Sequence, residues 1–227
     1  MADEFLAPSE SGLPGTFALA KLLEASQRIV SGDETDEDLR LIFAPGSSLG
    51  GARPKASIVD QHNSLSIAKF PKEADDYSLE RWEAIALELG RRSGISTAEH
   101  QLIHDAGKPI FVSKRFDRSA GLRIPFMSAM AMTQHLDRQE ASYLELVDAI
   151  SENGAGPNND RIELFRRVAF SILVSNTDDH LKNHGFLWLG NDGWALSPAY
   201  DINRLSRRHL FHRVIKIGCR RIFDQVI

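Results

Sequence analysis

Ser175-Asn176-Thr177-Asp178-Asp179-His180-Leu181-Lys182-Asn183 is the stretch on which the reading of this chain turns. It follows an apolar helical segment and is itself almost wholly polar. Asp178 and Asn183 stand five residues apart within it. Further on, Ser197-Pro198-Ala199-Tyr200-Asp201 brings a second acid after a short strand-like segment. An Asp-x4-Asn followed by a distant Asp is what phosphoryl transfer from ATP needs. The first Asp orients or deprotonates the acceptor hydroxyl, and the Asn and second Asp hold magnesium on the nucleotide.

Working back along the chain, the ATP side has candidates in the expected order. The loop Gly46-Ser47-Ser48-Leu49-Gly50-Gly51-Ala52-Arg53-Pro54-Lys55 is rich in glycine. It is not a Walker A motif, because Ala52 rather than Lys follows Gly51. Bare glycines still let backbone N–H groups approach phosphate oxygens, although a plain hairpin turn reads the same way. The following strand carries Lys69 in Ile67-Ala68-Lys69-Phe70-Pro71. A lysine so placed either snorkels to solvent or pairs with the α/β-phosphates while a helix Glu holds it. The next helix offers Glu80, Glu83 and Glu88. Glu83 is the choice, since it sits mid-helix beside the apolar stripe.

The elements fit a mixed α+β chain. Residues 13–30 have apolar positions at helical spacing and stop at Gly32. The acidic run Asp33 to Asp38 reads as a solvated helix start. Strands are expected over Ala56 to Val59, Leu65 to Phe70 and Pro109 to Phe116. A helix capped by Ser78 runs to about Arg92, with Trp82, Ile85, Ala86 and Leu89 as its buried stripe and Gly94 closing it. From Phe126 onward the pattern is mainly helical, over Ser142 to Ile150 and Arg161 to Val174. Strand-like pieces Phe186 to Leu189 and Trp194 to Leu196 flank a turn at Gly190 to Gly193. This predicts an N-terminal helical segment (1–39), a small strand-rich ATP-binding lobe (40–118) and a helical catalytic lobe (119–227). Together they make a two-lobed kinase-like α+β fold, with ATP expected in the cleft between the lobes.

Composition bounds the remaining classes. The chain has 227 residues, 42% hydrophobic, with net charge −4. That balance gives no global pull toward nucleic acid or an anionic membrane. One cysteine, Cys219, leaves no internal disulfide and suits a reducing cytoplasm. No apolar run approaches the ~18 residues of a membrane span, and the N-terminus lacks the basic and apolar regions of a signal peptide.

The motifs as a set resemble the HipA family, the serine/threonine kinase toxins of bacterial type II toxin–antitoxin modules. The matching stretches are Gly46 to Lys55, Ile67 to Pro71, Lys114-Arg115-Phe116-Asp117-Arg118, Asn176 to Asn183 and Ser197 to Ile202. The resemblance implies Mg²⁺-dependent use of ATP to phosphorylate a protein Ser or Thr. It implies that Ser48, Gly50, Gly51 and Ala52 cover the phosphates and that Lys69 contacts them, held by Glu83. It implies Asp178 as catalytic base, with His180 ordering the loop and Lys182 steadying the transferred phosphoryl group. Asn183 and Asp201 become the magnesium ligands. Lys114 to Phe116 fall where backbone groups meet adenine; the family often has Glu at Lys114, and a backbone contact survives that change. Ser48, and Ser47 beside it, match the position of an autophosphorylated serine, whose added charge would disfavour ATP. The family alone suggests an aminoacyl-tRNA synthetase as protein substrate. It also implies a HipB-like DNA-binding antitoxin as partner, so that DNA contact comes from the antitoxin.

The resemblance covers residues 40–203. The family usually has more chain before the first helix and a larger helical lobe after Asp201. The tail 204–227 is basic and reads poorly as that lobe, so the chain is expected to be truncated. A catalytically inactive ATP-binding pseudokinase or fragment therefore stands as the alternative. A metal hydrolase built on His180 and His184 lacks the Glu that a zincin places after its first His.

Overall fold

The computed structural model describes residues 14–42, 53–60, 62–72, 75–105, 107–119, 121–136, 139 and 141–203. The chain divides into two compact units, Met1–Ala84 with Glu99–Arg115, and Ile85–Ala98 with Phe116–Ile227. The glycine-rich segment, with Ser47, Ser48, Gly50, Gly51 and Ala52, lies outside the described residues, as does the basic tail.

In the first unit a short 3-10 turn leads into helix α1 (Leu19–Ser31), followed by α2 (Asp36–Ile42). Leu19, Leu22, Leu23 and Ala25 form the buried stripe of α1. Gly32, at φ 80°, closes it in the left-handed conformation that glycine adopts without strain. The acidic run after it is not all solvated. Asp38 is buried and takes a two-pronged bond from Arg28, 2.8 Å from Nε, with the second from Nη2. A cation in the last turn of α1 thus ties the two helices together.

The unit's sheet contains β1 (Lys55–Val59), β2 (Leu65–Lys69), β3 (His100–Asp105) and β4 (Lys108–Lys114), in the order β1-β2-β4-β3 and antiparallel throughout. Asp60 makes the β1–β2 turn by accepting from the N–H groups of His62 and Ser64, both at 2.8 Å. Strand β3 is an addition to the sequence expectation. Among the described residues it pairs with β4 alone, and its buried and exposed positions do not alternate. Ala56, Ile58, Ala68, Phe70, Ile110 and Val112 pack with α1 and Ile42 in one core. Period-two alternation then puts Lys69 on the opposite face from Ala68, where its ammonium lies 5.5 Å from the Phe111 ring centre.

Helix α3 (Leu79–Arg92) starts at Ser78, whose hydroxyl accepts from the Arg81 N–H at 3.3 Å. Its buried face differs from the expected stripe. Ile85 and Leu89 are 47% and 46% exposed, whereas Glu80, Glu83, Ala86, Leu87 and Gly90 are buried. Two carboxylates paired with cations carry that face, so a count of apolar residues alone misplaces it.

Beyond Phe116 the second unit continues with a small hairpin, β5 (Arg118–Ser119) and β6 (Leu122–Arg123). Next come β7 (Phe126–Ser128), α4 (Ala129–Met132), α5 (Tyr143–Asn153) and α6 (Pro157–Leu173). Strands β8 (Gly185–Trp188) and β9 (Trp194–Leu196) follow and join β7 in a three-stranded antiparallel sheet. β8 and β9 match the two expected strand-like pieces, and β7 is an addition to them. Ser142 begins α5, its N–H donating to Glu145 at 2.6 Å, and Pro157 begins α6. Ala129, Leu146, Val147, Ile150, Leu164, Val168 and Phe186 form the core. Among the described residues no helix is long and apolar enough to cross a membrane.

Candidate active site

The first unit delivers a lysine–glutamate pair. Lys69 Nζ lies 2.7 and 2.9 Å from the two carboxylate oxygens of Glu83. Both side chains are largely shielded, at 16% and 5% exposure. One helical turn earlier, Glu80 is buried and accepts from Arg53 at 2.8 Å. The Arg53 fork also spans Asp75, at 3.0 and 2.6 Å, and holds the Asp75 carboxyl below its ordinary range. Helix α3 thus grips the lysine of β2 and the arginine just before β1 with two acids on one face. The Lys114 side chain is exposed and bonds Glu99 at 3.0 Å. The N–H groups of Lys114 and Arg115 donate to Glu99 and Leu65 carbonyls, both at 2.9 Å.

In the second unit the Asp178–Asn183 segment is set up by the end of α6. Ser175, at φ 57°, turns the chain. The Ser175 N–H bonds the Ile172 carbonyl and the Asn176 N–H that of Ser171. This is the double-bonded helix stop usually built on glycine. Asp178 is exposed, and among the described residues its carboxylate accepts no hydrogen bond. Its backbone carbonyl accepts from Asn183 Nδ2 at 3.0 Å. That bond fixes the Asn183 amide and leaves Oδ1 as the atom available to a hard cation. Asn183 is buried in a single 3-10 turn, Leu181–Asn183, with its N–H on the His180 carbonyl at 2.8 Å. The His180 and Lys182 side chains are exposed.

The sequence reading weighed His184 as a metal ligand beside His180 and gave Asp179 no role; the structure pairs the two. Asp179 Oδ1 lies 3.0 Å from His184 Nε2, and Oδ2 accepts from the Tyr143 hydroxyl. Burial pushes the Asp179 carboxyl up. His184, Tyr143 and the Ser171 hydroxyl outweigh it and hold the group below its ordinary value. The Tyr143 and His184 rings meet edge to face, 5.8 Å between centres. His184 is buried and stands directly before β8. Among the described residues no three His, Cys, Asp or Glu side chains gather to hold a metal.

The Asp201 segment is anchored by backbone. The Ala199 N–H donates to Ser96 and its carbonyl accepts from Ala98, at 2.8 and 2.9 Å. Buried Arg167 donates to the Ser197 carbonyl at 2.8 Å. The Tyr200 hydroxyl donates to the Lys182 carbonyl at 2.7 Å, tying this segment to the 3-10 turn. Asp201 adopts φ 56°, rare for a residue with a side chain, and accepts from Asn203 at 2.8 Å. Strained backbone of this kind collects at functional sites.

The HipA-like C-terminal domain model matches residues 47–218. A Haemophilus influenzae protein named "Putative kinase" is 24% identical over 183 residues, 71% of this chain and 53% of its own length. The chain thus spans about half of that relative. Among solved structures, HipA of the Shewanella oneidensis HipA–HipB–operator DNA complex matches with TM-score 0.63 at 19% identity, over 81% of this chain and 49% of that one. The Helicobacter pylori proinflammatory kinase CtkA matches with TM-score 0.53 at 19% identity, over 65% and 54%. These two likenesses establish the fold.

Proposed function

We propose that this chain, which belongs to the HipA-like C-terminal domain family, uses ATP and Mg²⁺ to phosphorylate a protein serine or threonine. The observation that carries the reading is the Lys69–Glu83 pair, 2.7 and 2.9 Å apart on a strand and helix of one unit. In kinases such a lysine, held by a helix Glu, contacts the α/β-phosphates.

The other roles follow from the chemistry of each group. Asp178 receives the proton of the acceptor hydroxyl; its exposed carboxylate supports this. Lys182 steadies the transferred phosphoryl group, and His180 contributes its carbonyl to the turn that orders the loop. Asn183 Oδ1 and the Asp201 carboxylate suit magnesium, which prefers hard oxygen donors. When bound, the ion neutralises charge on the phosphate oxygens. By the resemblance, backbone groups of the Lys114–Phe116 stretch meet adenine; the N–H groups of Lys114 and Arg115 themselves bond the Glu99 and Leu65 carbonyls. Little covalent chemistry falls to the protein; positioning and electrostatics carry the transfer.

By the same reading Ser48 or Ser47 takes phosphate in the chain's own glycine-rich loop, which makes the kinase self-limiting. The Shewanella structure holds HipA with HipB, and a HipB-like antitoxin in the cytoplasm is proposed as the partner here. The substrate class carried by the resemblance is an aminoacyl-tRNA synthetase. The test is label transfer from γ-labelled ATP to a general protein acceptor, with and without Mg²⁺, beside Asp178→Ala and Asn183→Ala. Magnesium-dependent transfer lost in both variants supports the proposal. Binding of ATP without transfer by the wild type would favour a pseudokinase.

A further inference from the structure

We propose that Asp179 and His184 form a clasp that sets the distance between Asp178 and Asn183. The inference rests on the phosphotransfer reading above and adds two positioning residues to it. Asp179 follows Asp178 directly, and His184 follows Asn183 directly. Their side chains meet at 3.0 Å with 10% and 6% exposure, so the bond closes the segment from beneath. Asp178, next to it in the chain, is exposed. The Asn183 amide on the Asp178 carbonyl at 3.0 Å makes a second, parallel tie.

The clasp is also referenced to the rest of the unit. Asp179 accepts from Tyr143 on α5, and Ser171 of α6 lines the same small cavity. The His184 carbonyl accepts from the Ala129 N–H at the start of α4, at 2.8 Å. Hydrogen bonds from α5 and α4 thereby locate the two ends of one six-residue segment. A hydrogen bond to a charged group away from water is short, directional and hard for solvent to replace. Misplacing a reacting group by about 1 Å can cost on the order of 100-fold in rate. Neither Asp179 nor His184 need touch the nucleotide.

The test uses the full chain with Asp179→Asn, which keeps size and an acceptor but not charge, and His184→Gln, which keeps one amide donor. Steady-state ATP turnover is measured beside Mn²⁺ binding, by electron paramagnetic resonance, in the presence of a non-hydrolysable ATP analogue. Groups that orient metal ligands typically contribute about 10–100-fold to metal affinity or activity. Both variants are expected to lose about that factor in kcat and to bind Mn²⁺ about tenfold more weakly, with KM for ATP within about twofold. Wild-type kcat and Mn²⁺ affinity in both variants would overturn the clasp while leaving the kinase reading intact. Loss of the wild-type circular dichroism spectrum in both would assign the pair to stability and overturn the positioning claim. An inert wild type that binds no Mn²⁺·analogue would overturn both readings together.

Discussion

Lys69→Met removes an ammonium and keeps the stem that carries it. Glu83, 5% exposed, loses the cation lying 2.7 and 2.9 Å from its oxygens. The carboxylate then has two courses. Staying charged costs about 3–5 kcal/mol, the usual result of breaking a buried pair from one side. Taking up a proton costs an ordinary carboxyl about 3.7 kcal/mol at pH 7, at 1.36 kcal/mol for each of about 2.7 pH units. The cheaper course bounds the loss, so the variant should be about 3–4 kcal/mol less stable at pH 7. Protonation becomes easier in acid, costing only about 1 kcal/mol at pH 5. The folded variant would then bind the proton more readily than the unfolded chain does. Its penalty relative to wild type must therefore shrink as pH falls and grow as pH rises. Adding Glu83→Gln removes the carboxylate charge and should recover most of the loss. Urea unfolding at pH 7 and pH 5 on the wild type, both single variants and the double variant makes the measurement. A Lys69→Met penalty below about 0.5 kcal/mol, the scale of a neutral surface change, would refute the reasoning. So would a penalty that is the same at both pH values.

Three further outcomes follow from neighbouring contacts. Tyr143→Phe deletes the hydroxyl that donates to buried Asp179 and should cost about 1.5–3 kcal/mol in urea unfolding, the range for hydrogen bonds to charged groups. Arg53 holds Asp75 below its ordinary value, so the stabilisation is complete above the ordinary carboxylate range and fades as pH falls below it. Arg53→Gln should therefore move the acid-unfolding midpoint to higher pH, and an unchanged midpoint would contradict the pairing. Gly154→Ala places a Cβ 2.4 Å from the Ile150 carbonyl oxygen, and the backbone shift it forces should lower stability by about 1–3 kcal/mol in the same assay.

Much of the first unit was legible because two periodicities sufficed. Alternation in β2 separates Lys69 from Ala68 and Phe70, and helical spacing presents Glu83 to it. The apolar count failed on α3 because Glu80 and Glu83 occupy the buried face, leaving Ile85 and Leu89 outside. A carboxylate can be buried when Arg53 or Lys69 meets it, and single-residue hydropathy does not register the partner. Strand β3 was missed because an edge strand packed by one neighbour need not alternate.

In the second unit the Asp178-x4-Asn183 spacing was readable, as was the later Asp201. The clasp left a trace too: Asp179-x4-His184 repeats the same spacing one residue on. The trace lacks direction. Of two adjacent aspartates, only packing against Tyr143 and Ser171 decides which turns inward. The same limit explains why His184, rather than His180, proves to be the buried histidine.

The most direct test of the central claim is phosphosite mapping by mass spectrometry after incubating the purified chain with ATP and Mg²⁺, beside Asp178→Ala. The account predicts phosphate on Ser47 or Ser48 in the wild type, formed in step with ADP, and none in Asp178→Ala. A folded, nucleotide-binding wild type that gains no phosphate, or an Asp178→Ala variant that gains it at the wild-type rate, would contradict the account.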